Sequence, residues 1–401
     1  MEHKPINLDL EPLEIIAKHF QGLYSGNLTL SRIKGGQTAA DQALANLDIT
    51  GYAKNRSQVL PKESRGASVL SPYIRHNLLT LQEVYKKVSK APYQDREKFR
   101  DELYWQEYAR HLYARIGTKL FQDLRFELNQ SNPGEGWNRD LNCINTVLTE
   151  LETDGWLVNQ TRMWLASDWA VRHKLNWLNG QEKMHQHLID GSRAANLLGW
   201  QWTRGSGTGK PYGFARWQVE KRAPELCTTC KLKNNCPIQE FPKDINPIQL
   251  PKDPLLNSDP NLDKTTGPLT AIQNSKPDHV LLTIDSLGDK DPALTANPNL
   301  PVVFVFNEKA LKKLQLSSNR LGFYLETLKD LKERKNLTVY LSSPYEFAKD
   351  HKVAVTYAPV PSFKKFTNLA QIHPYSWFKK PISASVRSYS SWRNKIDRKF
   401  K

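Results

Sequence analysis

The chain is 401 residues long, 39% apolar, with a formal charge of +16, which is enough for two domains with cores of their own. No run approaches the ~18 continuous apolar residues of a membrane span, and the N-terminal MEHKPINLDLEPLEII lacks a basic-then-apolar signal pattern. A soluble, cytoplasmic, monomeric protein without a membrane partner is expected. Its charge points to a polyanion, the plainer alternative being a solubilising surface.

Residues 1–240 read as mostly helical, with helical periodicity at 97–116, 141–151, 159–177 and 181–189. Ahead of these, GASVLSPYI (66–74) places Ser71 as an N-cap and Pro72 at the first helical position. In the first long helix Glu102 and Trp105 stand three apart on one face. Asp154-Gly155 supplies a stop, and GWLVNQTRM (155–163) then opens a helix whose Asn159, Arg162 and Met163 share a face. LIDGSRAANLLGWQW (188–202) offers Asp190 and Asn196, followed by Trp200 and Trp202. An Arg and an Asp on separate helices can pair beside a ligand or simply lock the helices.

Three of the four cysteines, Cys227, Cys230 and Cys236, fall within ten residues, and Cys143 lies upstream. Four thiolates make one tetrahedral site, and spacing alone leaves zinc and a [4Fe–4S] cluster both open. Residues 241–276, rich in Pro, Asn and Asp, read as a linker. Short β-branched runs follow at 279–284, 301–306, 337–341 and 353–357, with a helix at about 319–335. That pattern predicts a small, doubly wound parallel sheet over 277–360. DSLGDK (285–290) after its first strand is not GxGxxG, so no nucleotide is expected there. Residues 361–401 carry ten Lys/Arg against one acid, interleaved with Phe363, Phe366, Tyr375, Trp377, Phe378, Tyr389, Trp392 and Phe400. Such a basic aromatic tail either binds nucleic acid or packs its rings on the body with its charges in water.

Taken together, GASVLSPYI, FRDELYWQEY, TDGWLVNQTRM and LIDGSRAANLLGWQW resemble, in order and spacing, the helical FAD-binding domain of the DNA photolyase/cryptochrome family over about 35–240. The fold class expected is α + α/β. The resemblance implies that Tyr52, Arg56, Ser68 and Ser71 face the FAD phosphates. It implies too that Arg162 and Asp190 bridge over the isoalloxazine ring, and that Asn196 bonds the flavin N5. Glu102, Trp105, Asn159, Met163 and Trp202 would line a cavity for a flipped pyrimidine dimer. Trp200 and Trp177 would be the inner electron relay, with Trp137, Trp164 and Trp169 candidates by type for its outer end. The implied partner is DNA, damaged or single-stranded.

Gln106 and Gln160 stand where typical dimer-repairing members have arginines, and Ser192 where many have a second acid near the flavin. The cysteine arrangement resembles the family's iron–sulfur bacterial branch, which favours the [4Fe–4S] cluster over zinc. VLLTIDSLGDKDPAL (280–294), PVVFVF (301–306) and RLGFYLETLKDL (320–331) resemble the family's α/β antenna domain. Here that domain follows the flavin domain in apparently permuted order and looks shortened, so an antenna chromophore stays open. The function implied is light-driven electron transfer from FAD to pyrimidine lesions. A non-repairing blue-light receptor or redox protein and a flavin-containing single-strand-binding protein are the alternatives.

Overall fold

The computed structural model describes residues 3–130, 134, 136–272 and 276–396. Phe400, at the end of the basic segment, lies outside them. The parallel sheet predicted in the C-terminal half is present and has six strands. Their order is Lys4–Ile6, Leu337–Ser342, Val302–Asn307, His279–Leu282, Val353–Thr356 and Ala370–His373. All neighbours run parallel except the first pair, where Ile6 lies opposite Val339 in an antiparallel edge. The central strand is buried on both faces. Val302, Phe304 and Phe306 enter the main core, and Val303 and Val305 a second, smaller one; side chains alternate across a strand, so one continuous apolar run serves both.

The two edge strands lie where the sequence predicted no sheet. Lys4–Ile6 falls in the segment read as the start of a helical domain, and Ala370–His373 in the basic tail. Edge strands of three and four residues carry too little pattern to be told from loop. Residues 4–19 therefore lie with the sheet, the helix Pro12–His19 burying Ile15 and Ile16. The aromatic segment is not a free tail either. Phe363 and Phe366 are buried in the second core while Lys364 and Lys365 between them face water. Trp377 and Trp392 are buried as well.

Helices at Tyr93–Ile116 and Asn142–Asp154 cover the stretches predicted at 97–116 and 141–151, and Arg193–Arg204 is a further helix that no predicted periodic stretch covered. Gly155 ends the second of these at φ +64°, a left-handed cap that a side chain would strain. One expectation fails: 159–177 is not a single helix. Asn159–Ser167 passes into a π turn at Asp168–Arg172, and Trp177 opens the next helix, to His187. Lys174 at φ 52° breaks the run, and Asn176 caps the new helix by accepting from Leu178 N. The proline-rich stretch after 240 also differs from a free linker. Leu256 is buried, and Arg115 of the long helix meets Asp259 at 3.3 Å with both side chains only 2% exposed. Among the described residues no helix is long and apolar enough to cross a membrane.

Candidate functional site

Arg162 and Asp190 form a two-pronged ion pair, Nη1 to Oδ1 at 3.2 Å and Nη2 to Oδ2 at 2.7 Å. Ser71 Oγ also donates to Asp190 Oδ2 at 2.6 Å and accepts from Trp156 Nε1 at 2.8 Å. Ser71 is therefore not the N-cap. It is the first helical residue of Ser71–Arg75, Leu70 stands before it, and its hydroxyl belongs to the ion pair.

The loop carrying Asp190 is held from several sides. Ile189 N donates to Gly155 O at 2.8 Å, and a β-carbon at Gly155 would stand 2.9 Å from the Ile189 side chain. The Gly191 carbonyl accepts from Arg75 Nε at 3.2 Å and from Arg320 Nη2 at 2.8 Å, while Arg320 Nη1 donates to His185 O. His76 bridges the Ile189 and Ile284 carbonyls. Burial and the neighbouring Arg75 push its pKa down to about 3 against the pull of those acceptors. Arg320 and Ile284 come from the sheet half, so the two halves jointly position Asp190.

Tyr52 and Arg56 are brought to the long helix by Asp95, whose carboxylate accepts from Gly51 N at 2.9 Å and Ala53 N at 2.7 Å. Tyr52 is buried against Phe99, and burial, with Glu102 nearby, raises its pKa. Arg56 meets Glu102 at 3.5 Å, and Lys98 reaches the same carboxylate oxygen at 3.4 Å. Arg56 Nε is buried without a partner, an unmet donor of the kind an anionic group satisfies. Ser68 is half-buried in the irregular stretch before Ser71. Asn196 donates to Gln181, to its carbonyl at 3.1 Å and its Oε1 at 2.9 Å; nothing in the spacing marked Gln181 as that partner.

The residues expected to line a lesion cavity are not joined to one another. Trp105 is covered: Tyr389, from the C-terminal helix Tyr389–Ile396, stacks on it at 3.9 Å and 10°. Tyr389 bonds Asp101, and Trp392, one turn on, donates to His111 Nδ1 at 2.9 Å. Asn159 and Trp202 are exposed and Met163 is half-buried. Among the described residues no hydrogen bond, ion pair or ring contact links these three to Glu102 or Trp105. Gln160 is spent on Tyr212, Nε2 to the hydroxyl at 2.6 Å.

Trp200 is 2% exposed, its indole nitrogen buried without a partner. It packs against Gly180, where an added β-carbon would lie 2.4 Å from Trp200 and 2.9 Å from Trp169. The two indoles thus meet across one glycine. Trp169 continues to half-buried Trp137, with ring centroids 4.6 Å apart. Trp177 is buried with the Arg204 guanidinium 5.5 Å from its ring centre, and Trp164 stacks on Phe214 instead.

Cys143, Cys227, Cys230 and Cys236 are all free and line one small cavity with Leu141, Arg216 and Ile238. Burial raises the Cys143 thiol, as do Asp168 and the neighbouring Cys227; burial and Glu220 raise Cys227. Ionising them together needs a compensating cation. Four thiols lining one cavity are a donor set that zinc or an iron–sulphur cluster takes.

Residues 99–222 match the family described as the FAD binding domain of DNA photolyase. The chain is 28% identical over 176 residues to the deoxyribodipyrimidine photo-lyase of Thermus thermophilus, a match covering 41% of each. It is 26% identical over 196 residues to that of a Synechococcus species, covering 44% of this chain and 40% of the relative. The chain thus spans about two-fifths of the length of these curated relatives. Among solved structures, a bacterial class III photolyase from Agrobacterium tumefaciens aligns at TM-score 0.40 and 21% identity, over 47% of this chain and 43% of that one. A Synechocystis cryptochrome aligns at TM-score 0.43 and 19% identity, over 50% and 46%.

Proposed function

Because its helical half belongs to the photolyase/cryptochrome family, we propose that this chain is a light-driven flavoprotein acting on pyrimidine lesions in DNA. The observation that carries this is the Arg162–Asp190 pair buttressed by Ser71 and Trp156. A simple helix lock would not need a hydroxyl, an indole and three clamped carbonyls to aim one carboxylate. Bound FAD supplies a light-absorbing ring able to exchange single electrons. Arg162 and Asp190 hold that ring, Asn196 presents its amide to the ring edge, and Tyr52, Arg56 and Ser68 hold the phosphates. Ser71 acts by fixing Asp190. The +16 charge favours a polyanion, and extrusion costs least at damaged or single-stranded bases. Cys143, Cys227, Cys230 and Cys236 hold a [4Fe–4S] cluster, and the sheet half stands for the family's α/β domain in permuted order.

Light-dependent loss of dimers from an irradiated oligonucleotide tests the reading. Glu102→Ala should lower repair by about a hundredfold, the usual cost of removing a hydrogen-bonding group aimed at developing charge; unchanged repair in this variant would remove Glu102 from the site.

Electrons reach Trp200 along Trp169 and Trp137. The Trp200–Trp169–Trp137 path leads to half-buried Trp137, whereas Trp177 lies buried beside the Arg204–Asp123 ion pair. Trp169→Phe should slow flavin photoreduction by about tenfold or more, and Trp177→Phe by less. The reverse order, read by flash absorption, would reassign the relay.

A second reading, photochemistry without repair, has one observation behind it: Tyr389 occupies the face of Trp105 on which a flipped base would stack. Gln106 and Gln160 also stand where typical dimer-repairing members have arginines. A flavin-loaded, photoreducible protein that leaves dimers intact would decide for it. The single-strand-binding reading is weakened, because Phe363, Phe366, Trp377 and Trp392 pack inward and offer no free faces.

A further inference from the structure

Far from the flavin segments, at the opening ends of the two adjacent parallel strands His279–Leu282 and Val353–Thr356, three side chains converge. One ligand atom each from Asp278, His279 and His351 lies within 4.8 Å of the other two, and among the described residues this is the one His/Cys/Asp/Glu group so tightly gathered. We propose that Asp278, His279 and His351 bind a divalent transition-metal cation of the zinc, nickel or copper class.

The backbone fixes the approach of the two segments. The Lys352 carbonyl accepts from Asp278 N at 2.8 Å and from His279 N at 3.3 Å, and the sheet register sets His279 opposite Val353. His351, which ends the helix Pro344–Asp350, thereby comes beside the two residues that open the neighbouring strand. The rings rest on a common floor. Phe347, 2% exposed, stacks on His351 at 4.3 Å and touches His279 at 5.9 Å and His3 at 5.2 Å. Side chains held on a rigid sheet and a buried ring are the arrangement a ligand set requires. His279 Nδ1 and Asp278 Oδ1 are hydrogen-bonded at 2.7 Å, so two of the three ligand atoms already face each other, and a bound cation would replace that hydrogen bond.

The ligand chemistry selects the ion. Two imidazoles and one carboxylate suit zinc, nickel or copper, whereas magnesium and calcium demand a shell of oxygens. Three protein ligands leave a position open, as in exchangeable sites. His3, 6.4 Å from the His351 ring and bonded through Nε2 to Asp350 at 3.2 Å, stands beside that opening. The ligands come from two strand openings, so the ion would staple the centre of the sheet to its neighbour. It owes nothing to the four cysteines or to the flavin.

The test uses the full-length chain without a histidine tag, titrated with NiCl2 and, separately, MgCl2 by calorimetry. It is run on the wild type, on the double variant His279→Gln with His351→Gln, and on Asp278→Asn. All three proteins carry the same four cysteines, so any uptake by thiolates cancels. Wild type should take up one more equivalent of Ni2+ than the double variant and no Mg2+, and its thermal midpoint should rise with Ni2+ while the double variant's does not. Asp278→Asn, which keeps the shape of the site, should weaken binding by more than the ~10-fold that losing an outer-shell partner costs. Equal Ni2+ stoichiometry in wild type and double variant, or Mg2+ uptake at the same residues, overturns the assignment.

Discussion

Asp190→Ala is expected to empty the protein of flavin and to destabilise it by about 3 kcal/mol or more, the usual cost of leaving half of a buried ion pair behind. Asp190 is the more buried partner, its side chain 4% exposed against 26% for Arg162, so the uncompensated charge falls on a guanidinium that still reaches some water. That places the loss at the lower end of the range. Three donors also lose their acceptor at once: both Arg162 nitrogens and the Ser71 hydroxyl. Asp190→Asn keeps one acceptor and the shape of the side chain but leaves Arg162 without its counter-charge, so it should lose less stability than Asp190→Ala while still holding flavin poorly. The ratio of flavin to protein absorbance, read beside urea unfolding, separates the two effects. Full flavin content in Asp190→Ala would detach this ion pair from the cofactor altogether.

The clamp on Asp190 also marks where sequence reasoning stops. Gly155 was legible as a helix stop because Asp-Gly after an apolar-periodic run has few other uses. Its second role, close contact with Ile189, joins residues 34 apart and needs the fold. Arg320 could be seen only as a charge on an apolar helix. Its bonds to Gly191 and His185 cross from one half of the chain to the other, and no periodicity carries that information. Strong local pattern made the central strands and long helices readable. The edge strands and the break at Lys174 went unseen because three or four residues do not establish a period, and a non-glycine residue at positive φ leaves no mark in sequence.

The aromatic segment shows the same limit in another form. Composition left its rings equally suited to bases or to a core. The choice is made by partners elsewhere: Trp392 meets His111, Tyr389 meets Trp105 and Asp101, and the Tyr108 hydroxyl donates to Val386 O at 2.7 Å. All four partners lie on the long helix, whose polar and aromatic face looked free when read alone. The helix predicted to present a substrate platform also carries the C-terminal segment, and any partner for Trp105 has to compete with Tyr389.

Cys143→Ser should remove the metal group before it touches the photochemistry. A serine hydroxyl does not ionise at neutral pH, so the site loses one of its four anionic ligands and the cavity one of the charges that would hold a cation. Metal binding in such sites is folding free energy, on the order of 10 kcal/mol for a structural zinc site, so its loss must appear somewhere as loosened structure. The geometry says where. Cys227, Cys230 and Cys236 lie in a segment of short turns with little regular structure, whereas Cys143 is the second residue of a three-turn helix that is otherwise well buried. Arg172 gives the loose side a second anchor, donating to Phe214 O and Glu240 O at 2.8 Å and to Pro237 O at 3.1 Å. The segment 224–236, ahead of that anchor, should therefore open to proteolysis and hydrogen exchange while the helix 142–154 and the Asp190 loop remain protected. Iron and sulphide analysis should read near zero, and flavin, once bound, should still photoreduce. A Cys143→Ser protein that keeps its metal content and its resistance to proteolysis at 224–236 would show that the four cysteines do not act as one site.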